Sequence, residues 1–126
     1  METQVIVDTI KQDRKRMWFA IGNYLDEFYY ALNNEQRQEV LNEEPVWFTG
    51  VGEYEMAFVS AMVNKLAVDY DLITPTWVYN DEYFQLKEPH FAMGAKGDLR
   101  LLLLVESPKQ FRMRNIFTTS NVLSRA

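Results

Sequence analysis

At 126 residues, 48% of them hydrophobic and 25% charged, the chain is sized for one globular domain with a substantial apolar core. It has no cysteine and one histidine, which excludes disulfides, thiolate metal sites and cysteine nucleophiles and leaves little for histidine-based metal or triad chemistry. The net charge of −5 argues against duplex nucleic acid as the main partner, because that binding rests on many Lys and Arg contacts to phosphate.

The charge is unevenly spread. Residues 1–95 hold 7 Lys/Arg and 16 Asp/Glu, a net −9, whereas residues 96–126 hold 6 Lys/Arg and 2 Asp/Glu, a net +4. Either the two parts neutralise one another on folding, or the tail offers a basic surface to an acidic partner. No basic and apolar leader opens the sequence, and the longest wholly apolar run, Leu101 to Val105, is far short of the ~20 residues of a membrane helix. A cytoplasmic protein without membrane contact is therefore expected.

From Thr3 to Leu32 apolar residues recur at three- and four-residue steps (Ile6, Ile10, Met17, Ile21, Tyr24, Phe28), with a polar gap around Asp13 and Arg14. The spacing predicts one long amphipathic helix, with Gly22 as a bend or a point of close approach. Asn33, with Gln36 three residues on, predicts a capped second helix over Glu35 to Leu41. Trp47 and Phe48 lie in a connection and require burial. A third helix is predicted from Glu53 to Tyr70, with a stripe of Met56, Val59, Val63, Leu66 and Tyr70 and with Asn64 on another face. Residues 71–97 carry two prolines, two glycines and five aromatics, which suits a long ordered loop wrapped over the core. The Asp98 to Glu106 segment has a period that fits a buried helix or a buried strand; its leucines favour helix. Ser107-Pro108 predicts a fresh helix through Phe117, with Ser107 as its cap.

Few constellations carry chemistry. His90 stands alone among scattered carboxylates and reads as a surface or hydrogen-bonded histidine, so no metal is assigned. The pairs Asp26-Glu27, Glu43-Glu44 and Asp81-Glu82 read as solvated charges or caps. Gly50-Val51-Gly52 lacks a third glycine and a preceding strand, and no serine has a recognisable histidine partner. Lys109, Arg112, Arg114 and Asn115 are the residues best suited to an acidic partner, since forked guanidinium groups pair with carboxylates or phosphates. Internal pairing with the acidic helices is the competing reading.

One family resemblance bears on the C-terminal half. The order Pro75-Thr76-Trp77-Val78, an aromatic tract, Leu99-Arg100-Leu101-Leu102-Leu103, Glu106-Ser107-Pro108, Phe111 to Phe117 and Asn121 to Ala126 resembles a C-terminal domain of small bacterial proteins. These are encoded beside predicted nucleotidyltransferases in toxin-antitoxin-like loci, and the resemblance implies an antitoxin-like or accessory partner of such a protein. The expected fold is all-α, a single-domain helical bundle with a long ordered aromatic loop before two C-terminal helices. The expected function is non-enzymatic protein interaction, without cofactor, through Lys109, Arg112, Arg114, Asn115, Trp77 and Tyr79. Two alternatives remain: nucleic-acid binding by Lys109, Arg112 and Arg114, and a small-molecule pocket lined by Trp77, Tyr79, Tyr83 and Phe84.

Overall fold

The computed structural model describes residues 2–48, 52–81 and 84–125. The fold is all-α, with helices α1 (Glu2–Gln12), α2 (Met17–Tyr29), α3 (Asn34–Asn42), α4 (Glu53–Asp69), α5 (Asp98–Glu106) and α6 (Lys109–Arg112), and two short strands, β1 (His90–Phe91) and β2 (Ile116–Phe117). Among the described residues no helix is long and apolar enough to cross a membrane.

The expected first helix is in fact two. Asp13 takes an extended conformation, φ −160° and ψ 110°, and its carboxylate accepts a hydrogen bond from the Lys15 N–H at 3.0 Å. Six consecutive polar residues from Lys11 to Arg16 offer the helix nothing to bury, so the aspartate's local bond to the backbone wins over continuation. The chain turns there, and α1 and α2 pack against each other. At the other end of α2, Arg37 donates to the carbonyls of Phe28, Tyr29 and Ala31. Those are the acceptors that a helix C-terminus leaves open. Helix α3 begins as expected, with Asn33 accepting from the Gln36 N–H and the Gln36 side chain reaching back to the Leu32 N–H, each at 3.0 Å.

Helix α4 is central. It is buried on every side: Ala57 through Asn64 without a gap, then Leu66 and Ala67. Asn64, expected on a separate face, is interior for that reason, 2% exposed and contacted by the Tyr79 hydroxyl. A helix enclosed all round needs no single apolar stripe. The core adds Ile6 and Ile10 of α1, Met17, Ile21, Leu25 and Phe28 of α2, Leu41 of α3 and Phe111 of α6, with Trp47 and Phe48 packed at its edge.

The aromatic connection is ordered where described. Thr76–Tyr79 forms a single 3-10 turn lying on α4, and the Trp77 indole N–H donates to the Leu41 carbonyl at 3.3 Å. Further on, β1 and β2 pair in parallel, His90 with Ile116 and Phe91 with Phe117. The helix expected through Phe117 therefore ends at Arg112. Asn115 adopts a left-handed conformation, φ 67°, which a helix interior does not accommodate, and its carbonyl accepts from the His90 N–H at 2.9 Å.

The tail closes the fold. Leu123 is buried, its carbonyl accepts from the Tyr29 hydroxyl at 2.8 Å, and Arg125 makes a two-point ion pair with Asp26 at 2.9 and 3.0 Å. Gly22 is where the tail comes nearest, because a Cβ there would lie 2.9 Å from the Arg125 guanidinium.

Candidate functional site

Helix α5 departs most from what its composition leads one to expect. It is helical, as its leucines favour, but Leu103 is its only buried side chain. Leu99, Leu101, Leu102, Leu104 and Val105 are all exposed, Leu101 at 61% and Val105 at 81%. The helical repeat explains the arrangement. Residues 101 and 105 stack one turn apart on the face opposite Leu103, and 102 and 104 flank them. Leu103 alone reaches inward, into a small satellite cluster with Ala95 and Phe117. Five large apolar side chains thus stand exposed on nine residues, and exposed apolar patches are a mark of interaction sites.

The helix is held at both ends. Gly97, at φ 57°, supplies a turn that other residues resist. Arg100 anchors the first turn, donating to the Ala95 carbonyl at 2.8 Å with its guanidinium 4.5 Å from the Phe91 ring centre. At the C-terminus the Ser107 hydroxyl donates its one proton to the Leu103 carbonyl, lies 3.1 Å from the Thr118 carbonyl, and accepts from the Thr118 N–H. Ser107 thus closes α5 and ties it to the end of β2; the expected role as cap of the next helix falls to no side chain. Glu106 adds a second tie, accepting from the N–H and hydroxyl of Ser120.

Cations rim the patch. Lys96 and Arg100 are exposed near its start, and Lys109 and Arg112 near its end, where Arg112 reaches the Leu104 carbonyl at 3.5 Å. Lys109 and Arg112 therefore stand at the surface, as a partner-binding role requires, and among the described residues neither has an ion pair.

Arg114 does not stand with them. It is 0% exposed, donating to the Gln110 carbonyl at 2.8 Å and to the Val78 carbonyl at 2.9 Å. Its guanidinium lies 4.6 Å from the Phe84 ring centre and 5.8 Å from that of Tyr79. Burial lowers its pKa to about 10, with Tyr79 acting in the opposite direction. It is an internal clamp joining α6 to the 76–79 turn, and it pairs with carbonyls where internal pairing with acidic helices was the competing expectation. Trp77, also expected at a partner surface, is 7% exposed and belongs to the core. Asn115 is half-buried, its side-chain amide donating to the Leu86 carbonyl at 3.1 Å. Tyr79 is accessible, at 46%. The expected pocket of Trp77, Tyr79 and Phe84 is not assembled as such, because the last two rings pack around Arg114; Tyr83 lies outside the described residues.

Sequence reasoning missed the α5 face. The signal was present as a leucine run with too few polar residues to make an ordinary surface helix, but the same run describes a buried helix equally well. Among the described residues no three His, Asp or Glu side chains come together in a way that could hold a metal ion. Comparison of the chain with protein-family models, with curated proteins and with solved structures finds no match.

Proposed function

We propose that this chain is a non-enzymatic protein-interaction module whose docking element is the outer face of α5. The observation that carries the reading is the exposure of Leu101, Leu102, Leu104 and Val105 on one short, firmly anchored helix. An amphipathic helix laid into an apolar groove is a recurring mode of recognition. The basic rim selects the partner: Lys96, Arg100, Lys109 and Arg112 favour a groove bordered by carboxylates. A second copy of the chain is disfavoured by the same rim, since antiparallel pairing of two α5 helices brings cations at one end against cations at the other. Nucleic acid ranks lower, because Arg114 serves two internal carbonyls and leaves two of its three proposed contacts.

The resemblance of the C-terminal half makes a nucleotidyltransferase-like protein the first partner to try. Co-expression with the product of the adjacent gene, followed by capture of the complex, tests the reading. Binding is expected, with its near-complete loss in the Leu101→Glu/Val105→Glu variant and a weakening in Arg112→Glu that grows less marked as salt rises. The absence of a complex, a complex indifferent to both changes, or dimerisation of the chain through α5 would overturn it.

A further inference from the structure

A second feature lies apart from the outer face of α5 and does not depend on the reading just given. The start of α2, the first turns of α4 and the β1–β2 ladder enclose a hollow of about 330 Å³. One wall is a chain of rings. Trp18 meets Phe58 edge to face at 5.0 Å and 87°, Phe58 adjoins Tyr54 at 5.9 Å, and Tyr54 lies against His90 at 4.0 Å and 33°. Tyr54 and Phe58 are four residues apart on α4, so one helix face presents both. Aliphatic Ile116 and Val122 and the hydroxyl-bearing Thr118 also line it.

Two details mark this as more than a packing gap. The Trp18 indole is 55% exposed although it caps the ring wall, so one side of a large aromatic is left without a protein neighbour. Met93, also in the lining, holds φ 60° and ψ 21°, a left-handed conformation that is unfavourable for a non-glycine residue. Its exposed, adaptable thioether side chain lines the hollow, and such backbone strain tends to persist where function maintains it.

The lining defines the ligand. The volume lies at the low end of small-molecule sites and admits one or two fused rings. No lining residue is Asp, Glu, Lys or Arg, so neither a phosphate nor a carboxylate has a counter-charge inside. Aromatic walls favour an offset or edge-on partner ring. His90 in its neutral form offers one donor and one acceptor, and the Thr118 hydroxyl can offer either. The neighbouring hollow beyond Tyr54 and His90 is lined also by Glu53, Lys87 and Glu88 and suits no apolar ring. We propose that the hollow lined by Trp18, Tyr54 and Met93 is a binding site for a neutral, planar heteroaromatic ring, which stacks among Trp18, Tyr54 and Phe58 and takes its polar edge to His90 and Thr118.

The test is a titration of the isotope-labelled full chain with four probes: adenine, indole, cyclohexanol and tetramethylammonium, followed by nuclear magnetic resonance. Saturable shifts at the Trp18 indole N–H and at the amides of His90 and Thr118 are expected with adenine and indole. Cyclohexanol and tetramethylammonium are expected to give none. Trp18→Ala should weaken ring binding about tenfold, the equivalent of one lost aromatic contact. His90→Phe keeps a ring against Tyr54 and removes the polar edge, so adenine should weaken more than indole. Absence of saturation by either ring, equal binding of cyclohexanol, preference for tetramethylammonium, or shifts unchanged in both variants would each overturn the assignment.

Discussion

Helices α4 and α5 are both rich in apolar residues, yet α4 buries ten side chains and α5 buries Leu103 alone. The difference lies in what surrounds them. Helix α4 is packed by α3, α6 and the 76–79 turn, and its Ala57, Ser60, Ala61 and Ala67 let those neighbours approach closely. Helix α5 rests on β2, a two-residue strand too small to cover more than one leucine. Apolarity in a segment measures how much surface requires covering; whether the same chain covers it depends on the area its other elements have left. Here the core is filled by α1 to α4, α6 and the aromatic connection, and α5 is left with an uncovered apolar face.

Truncating each helix at its most characteristic position tests this comparison most strongly. Met62→Ala, at a 0% exposed site in α4, should cost about 2–5 kcal/mol of folding stability. Leu101→Ala on α5 should cost less than about 0.5 kcal/mol, as a surface change does. Urea denaturation of both variants measures the two values. If Leu101→Ala cost as much as Met62→Ala, α5 would be a core helix and the docking face would vanish.

A smaller effect sharpens the boundary between the two regions. Arg114 joins α6, which leads out of α5, to the turn lying on α4. Arg114→Met leaves two carbonyls without a partner but also removes a buried charge, so the net loss should be about 2 kcal/mol. Hydrogen exchange should show lost protection in α6 and in the β1–β2 ladder, with the middle of α4 unchanged. Uniform loss across the chain would mean that Arg114 serves the whole core.

Much of this organisation was legible in the sequence. The Asn33 and Gln36 cap, the bounds of α4 and the aromatic connection laid on the core all rest on local rules: a side chain that bonds to a nearby amide, a hydrophobic period, or a cluster of aromatics between breakers. What escaped notice depended on tertiary context. Arg112 and Arg114 are two residues apart and alike in type, but α6 ends between them and the turn that follows puts one in solvent and the other inside. A two-residue parallel ladder has no period to detect, and its partners are 26 residues apart. The ring wall of Trp18, Tyr54, Phe58 and His90 draws on three separate elements, and only His90 stood out beforehand, as a residue with no visible partner.

The smallest expected effect concerns the seam between α4 and the ladder, where His90 lies against Tyr54. Burial lowers the His90 pKa from 6.5, with Glu55 acting in the opposite direction; Glu53, Lys87 and Glu88 line the hollow on its other side. The unfolded chain therefore takes up this proton more readily than the folded one. Stability should be insensitive to this group above pH 6.5, decline as pH falls below 6.5, and level off below the folded value. Asp26 gives a separate, more acidic step, because its hydrogen bond to Arg125 holds its pKa below 3.8 and its contribution is lost only as pH falls through that lower value. Thermal melts of the parent and of His90→Phe across pH 2 to 8 separate the two. The decline below pH 6.5 should disappear in the variant while the acid step remains. Persistence of the first decline in His90→Phe would place the titrating group elsewhere and free the seam from any part in it. Its loss, accompanied by a smaller pH response of exchange in β1 and β2 than in the parent, would tie the covered and uncovered halves of the molecule to one imidazole ring.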